Sequence, residues 1–195
     1  MTTWFITGAS RGFGREVALE ALRRGDNVVA TARRTEALEE LVATGGSKLL
    51  ALQLDVTIAE QVQAAVARAH EAFGSIDVLF NNAGIGYFAA VEESDEAEVR
   101  TMMEINVFGL AAVTNAVLPE MRARRSGTIL NVSSVGGVRS FPAVGWYNAS
   151  KFAVEGLSEA LDLEVAPLGI RVIIVEDFRN LIPRFLRGDF WFVQI

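Results

Sequence analysis

Six short apolar runs, separated by segments of helical periodicity, constrain this 195-residue chain more than any other feature. The runs are Trp4-Phe5-Ile6, then 27–32, 48–54, 76–80, 128–132 and 170–175. Between the first two, Val17, Ala18, Ala21 and Leu22 share one helical face until Gly25. Ile58, Val62, Val66, Ala69 and Phe73 keep the same period until Gly74. Strands that alternate with helices form βαβ units and a parallel sheet. The expected fold is therefore one α/β domain over 1–195, a doubly wound parallel sheet ordered 3-2-1-4-5-6 with helices on both faces.

Local signals place the helix ends. Thr35 is expected to cap a short helix reaching about Thr44, where Gly45-Gly46 stop it. Thr57 with Glu60 reads as a capping box. Asp95 with Glu98 opens one long helix to about Arg122, apolar on more than one side, which implies burial by its own sheet and by a second subunit. A last helix spans 146–166 and ends at Pro167-Leu168-Gly169.

Ligands of doubly wound sheets bind at the carboxyl ends of the strands, near the point where strand order reverses. The notable residues of this chain fall at those ends: the turn from Thr7 to Gly14, then Arg33, Asp55, Asn81-Asn82-Ala83-Gly84 and Ser134. The turn, Thr7-Gly8-Ala9-Ser10-Arg11-Gly12-Phe13-Gly14, joins a strand to a helix. It brings backbone N–H groups to a helix N-terminus, which suits the phosphates of a nucleotide. An NAD site carries an acidic residue about 20 residues beyond such glycines. Here Arg33 and Arg34 stand at the end of the second strand, with Arg11 inside the turn. A guanidinium there matches a 2′-phosphate, so NADP(H) is expected in preference to NAD(H).

Composition narrows the function classes. A net charge of −6 argues against nucleic acid as a partner. The chain has no cysteine, so it makes no disulfides and uses no thiolate. No acidic or histidine cluster has metal-ligand spacing, and His70 reads as a surface or rim residue. The first strand begins close to Met1, leaving no room for a signal peptide, and no apolar run approaches a membrane span. A soluble cytoplasmic protein is the expectation.

Tyr147 and Lys151 stand one helical turn apart and project from one face. A free tyrosine has a pKa near 10, and a nearby ammonium can lower a pKa by roughly 1–3 units. Ser134 can hydrogen-bond a substrate oxygen and polarise it. Together these groups would make a proton-transfer site beside a hydride carrier.

With these motifs in this order, the chain resembles the short-chain dehydrogenase/reductase family, in its compact single-domain branch, from about Thr3 to Val175. The resemblance rests on Thr7-Gly8-x-x-x-Gly12-x-Gly14, Asn81-Asn82-Ala83-Gly84, Ser134 and Tyr147-x-x-x-Lys151. It implies that Tyr147 exchanges a proton with a carbonyl or alcohol, while Lys151 supports the tyrosine and holds the nicotinamide ribose. Ser134 is implied to orient the substrate oxygen, with Ser133 supporting the strand end. Asn106 is implied to position a water in a proton relay; a buried asparagine bonded to neighbouring backbone is the alternative. The cofactor is implied to meet Gly8, Ser10, Arg11, Gly12, Phe13, Gly14, Arg33, Asp55, Val56, Asn82, Ala83, Gly84, Tyr147 and Lys151. The partners implied are a small carbonyl or alcohol substrate and further copies of the chain, as a homodimer or homotetramer.

The resemblance ends after Glu176. There the family continues with Pro-Gly, a threonine and a substrate-covering loop, whereas this chain reads Asp177-Phe178-Arg179-Asn180-Leu181-Ile182-Pro183. Phe190-Trp191-Phe192-Val193 reads as a terminal strand or as a contact with another chain. The altered tail leaves a rival reading, a non-catalytic NADP(H)-binding sensor or assembly protein.

Overall fold

The computed structural model describes residues 1–176; the expectations placed on 177–183 and on 190–195 lie outside the described residues. Six strands form one all-parallel sheet: β1 (Thr3–Ile6), β2 (Asn27–Ala32), β3 (Leu49–Gln53), β4 (Val78–Asn81), β5 (Gly127–Val132) and β6 (Ile170–Val175). Their order is β3-β2-β1-β4-β5-β6, the doubly wound order expected. Order reverses between β1 and β4, where Trp4, Phe5 and Ile6 pair with Val78, Leu79 and Phe80.

Side chains on a strand alternate between the two faces of its sheet. Trp4, Ile6, Val28 and Ala30 join one core, where α1 (Gly12–Arg23) and α2 (Glu39–Gly45) contribute Val17, Ala18, Ala21 and Leu41. Phe5, Val29, Leu79 and Ile129 join the other, with Val62 and Val66 of α3 (Ala59–Phe73) and Val113, Val117 and Met121 of α5 (Leu110–Arg124). The last α-helix among the described residues, α6 (Gly145–Val165), adds Val165 to this second core. Phe5 is wholly buried, and burying such a side chain contributes about 1.5–3 kcal/mol.

Three helix starts were legible in part. Asp95 caps α4 (Glu96–Met103), its Oδ1 accepting from the amides of Ala97 (2.9 Å) and Glu98 (3.0 Å). The Thr57–Glu60 capping box does not form. Thr57 instead turns back, giving its N–H (3.0 Å) and hydroxyl (2.7 Å) to Asp55 Oδ1, and α3 starts only at Ala59. An ionised acceptor two residues upstream competes successfully for both donors. Thr35 makes no cap either: it opens a 3₁₀ turn that seats fully buried Leu38, and α2 begins at Glu39.

The long helix expected from Asp95 to Arg122 is interrupted. After α4 the backbone takes a π-helical course over Glu104–Gly109 before α5 resumes. The combined stretch Glu96–Arg124, 29 residues long, has the length and hydropathy of a membrane span, contrary to the sequence expectation. Met102, Val113, Val117 and Met121 nevertheless lie wholly within the protein, so it serves here as a core helix.

Candidate active site

The carboxyl ends of β1 to β4 enclose a cavity of about 300 Å³. Gly8, Ser10, Arg11 and Gly12 line it from the first turn, Arg33 from the end of β2, and Asp55 and Val56 from beyond β3. Asn82, Ala83 and Gly84 close it on the side of β4. Ten residues expected to bind a cofactor thus share one cavity. Phe13 and Gly14 do not line it. Phe13 packs edge-on against Phe80 (5.3 Å between ring centroids), and Gly14 faces Asn82.

The turn and the β4 end are stapled together. Thr7 Oγ1 accepts from the amides of Asn82 (2.9 Å) and Ala83 (3.0 Å). Asn82 Nδ2 donates to the carbonyls of Thr7 and Gly8, both at 3.0 Å. A Cβ at Gly14 would stand 2.5 Å from Asn82 Nδ2 and 2.6 Å from the Gly8 carbonyl oxygen, so this close approach requires glycine. Arg11, the residue before α1, gives no side-chain cap, which leaves the first amides of the helix open to an anion. Arg11 and Arg33 are exposed and form no ion pair among the described residues.

Asn81 is structural. Its Nδ2 donates to Thr114 Oγ1 and Asn131 Oδ1, both at 2.9 Å, and Asn131 Nδ2 donates to Ser158 Oγ at 2.9 Å. This chain of buried polar groups ties β4 and β5 to the two helices behind them. Asn81 Oδ1 alone in this chain of side chains has no partner among the described residues.

The second cluster sits at the end of β5 and the start of α6. The Ser134 hydroxyl accepts from the amide of Gly136 (3.1 Å), which holds it at the head of a 3₁₀ turn over Val135–Gly137. Asn148 Nδ2 lies 2.5 Å, and Ser134 Oγ and the Tyr147 ring carbon Cε1 each 3.5 Å, from the point a Gly136 Cβ would occupy, so the three side chains gather around Gly136. Lys151 Nζ stands 5.8 Å from the Tyr147 ring centroid and donates to the Val132 carbonyl at 2.8 Å. Burial lowers the pKa of Lys151 to about 8, an effect partly offset by the negative charge of Glu155.

Asn106 lies in the π-helical segment and is buried. Its Oδ1 accepts from the Ile85 amide (2.9 Å), and its Nδ2 donates to the Ile85 carbonyl (2.9 Å) and to Ser150 Oγ (3.2 Å). Ser150 Oγ in turn donates to the Tyr147 carbonyl at 2.7 Å. Asn106 therefore joins the β4 loop to the tyrosine helix, and both its amide hydrogens are used by protein. Ser133 supports the strand end, its amide donating to the Val175 carbonyl at 2.9 Å.

Asn148 has a site role that the sequence did not disclose. Its Oδ1 accepts from the Phe141 amide (3.0 Å) and its Nδ2 donates to the Gly136 carbonyl (2.9 Å), pinning the loop after Ser134 onto α6. Only its place beside Tyr147 could have drawn notice, because its partners lie in another segment.

The sequence profile of the short chain dehydrogenase family matches residues 2–176. The chain belongs to that family. It shares the fold of the family's solved members. A 3-ketodihydrosphingosine reductase of Bacteroides thetaiotaomicron is 45% identical over 171 residues, 88% of this chain and 61% of its own. A short-chain dehydrogenase from Streptomyces avermitilis superposes with a TM-score of 0.87 at 49% identity, over 90% of this chain and 64% of that one. Two further neighbours were solved with nicotinamide cofactors. An alcohol dehydrogenase from Thermococcus sibiricus holds 5-hydroxy-NADP (TM-score 0.84, 32% identity, 90% of this chain and 75% of that one). A Burkholderia phymatum member holds NAD (TM-score 0.86, 34% identity, 90% and 64%). The chain spans under two thirds of the length of the first curated relatives it matches.

Proposed function

We propose that this chain is an NADP(H)-dependent oxidoreductase that moves a hydride between nicotinamide and a carbonyl or secondary alcohol, with Tyr147 as the acid/base. The observation that carries this reading is that Ser134 Oγ and the Tyr147 ring gather around Gly136, with the Lys151 amine 5.8 Å from that ring. A dinucleotide fits the residues present: the glycine turn offers bare backbone and open helix amides, and the adjoining cavity is lined by Arg33 and Asp55. When bound, the nicotinamide supplies or accepts the hydride.

In the reductive direction, Ser134 donates a hydrogen bond to the carbonyl oxygen and draws electron density toward it. Tyr147 then gives its phenolic proton to that oxygen, and the Lys151 ammonium stabilises the phenolate left behind. Asn106 and Asn148 keep the tyrosine helix and the Ser134 loop in register. Arg33 and Arg11 would hold a 2′-phosphate by charge-assisted hydrogen bonds. The neighbours solved with cofactor include both an NADP analogue and NAD, so the choice rests on these two arginines.

The loop beyond Ser134 exposes Val135, Val138 and Phe141 beside Arg139, whose guanidinium stands 5.9 Å from the Phe141 ring centroid, and the parallel bridge of Ala89 to Val144 brings the loop carrying exposed Phe88 alongside. That surface suits a carbonyl carried on an apolar body, in keeping with the name of the 45% identical 3-ketodihydrosphingosine reductase. Steady-state comparison of NADPH with NADH against a panel of apolar ketones tests the reading. NADPH should give the higher kcat/KM; a preference for NADH in both affinity and turnover contradicts it.

A further inference from the structure

Glu155 is a carboxyl group that no step above uses. It lies on α6, one helical turn beyond Lys151, and its Oε1 is closed off from solvent. The Ser133 hydroxyl is in the same condition. The two atoms meet under Gly137: a Cβ there would stand 2.6 Å from Ser133 Oγ and 2.8 Å from Glu155 Oε1. The turn that carries Ser134 thus rests on a serine and a carboxyl, and only glycine leaves them room.

A carboxyl with one oxygen closed off from solvent and no arginine partner is costly, and such groups cluster at functional sites. We propose that Glu155 is a positioning residue of this site, which braces the Ser134 turn through Ser133 and is the counter-charge that keeps the Lys151 amine protonated. The proposal rests on the reading of Lys151 as the amine that serves Tyr147.

The groups facing Glu155 act on it in opposing senses. Burial raises its pKa, as do the negative charges of Glu176 beyond β6 and Glu159 on the same helix. The Ser133 hydroxyl and the Lys151 amine act in the opposite sense. The coupling is reciprocal, since Glu155 is the charge that raises the pKa of Lys151 against its burial. With the carboxylate present, Lys151 keeps its proton below about pH 8 and loses it above. Without it, that loss moves to lower pH.

The chain contains two lysines, Lys151 and exposed Lys48, so a protein labelled with 13C at lysine Cε gives two NMR signals to titrate. The expected result is that Glu155→Gln moves the Lys151 midpoint down by about half a pH unit or more, roughly a threefold loss of proton affinity, while Lys48 stays in place. Ser133→Ala withdraws the hydroxyl that favours the carboxylate and should move Lys151 the same way by less. The kcat of Glu155→Gln should fall relative to wild type more above pH 8 than below it. A purely structural role would lower both limbs alike. A Lys151 midpoint unchanged in both variants overturns the proposal, whatever the turnover. A wild-type protein whose Lys151 titrates as described but which reduces no carbonyl counts against the proposed function instead.

Discussion

In the proposed function, cofactor choice turns on Arg33. It is exposed, it lines the cavity, and no carboxylate among the described residues engages it. Hydrogen bonds to charged groups are worth about 1.5–3 kcal/mol. Arg33→Glu should therefore raise the KM for NADPH roughly tenfold to a hundredfold and narrow or reverse the preference over NADH, measured by initial rates with each cofactor. A second prediction concerns Glu20, which is buried in α1 and receives Arg23 at 2.6 Å through both Nε and Nη2, and Arg24 Nε at 2.7 Å. The Arg23 hydrogen bonds lower its pKa to about 2 against the opposing effect of burial, with Arg24 adding to the shift. Its folded pKa is depressed, so its contribution is complete above the ordinary value of 4.5 and is lost as pH falls toward about 2. In thermal melts, the deficit of Glu20→Gln relative to wild type should shrink steadily from pH 5 to pH 2.

At the scale of elements, the strands were legible because apolar runs bounded by glycine and polar turns have few alternatives. The Tyr147-Lys151 pair and the glycine turn were legible because each motif is local. The π-helical course of Glu104–Gly109 was not, because no local residue demands it. What accompanies it is Asn106 reaching across to Ile85 and Ser150, 21 and 44 residues distant. Asn148 and Glu155 escaped notice for the same reason: their meaning comes from Gly136 and Gly137, which belong to another segment. The absent capping box at Thr57 shows the converse, a local signal overruled by a stronger acceptor at Asp55. Asn106→Ala should leave the Ile85 amide and carbonyl unpaired and cost about 1–3 kcal/mol of stability. Hydrogen exchange of the Ile85 amide should quicken more than that of the β1 amides. Equal protection in variant and wild type would remove the bracing role.

At the scale of the molecule, α6 leaves Trp146, Phe152, Leu157 and Leu163 exposed, and Phe108 of the π-helical segment is exposed as well. Phe152 is 46% and Leu163 78% exposed, more apolar surface than one helix of a monomer usually leaves to water. We expect a dimer or tetramer by multi-angle light scattering, and Phe152→Glu with Leu163→Glu should shift it toward monomer. A wild-type monomer at micromolar concentration contradicts this. The same view of the molecule joins the proposed dinucleotide cradle at β1 to β4 with the proposed proton-transfer cluster at β5 and α6, linked through Asn106.

The central claim is that these two halves work as one catalyst through Tyr147. Tyr147→Phe removes one hydroxyl and keeps the ring packed against Gly136 and Lys151. Proton transfer by a positioned side chain contributes roughly 10²- to 10⁴-fold in rate. NADPH titration by fluorescence together with turnover on the best ketone, in wild type and Tyr147→Phe, is the direct measurement. The account predicts cofactor affinity within about threefold of wild type and a kcat lower by at least about a hundredfold; a variant that retains wild-type turnover contradicts it.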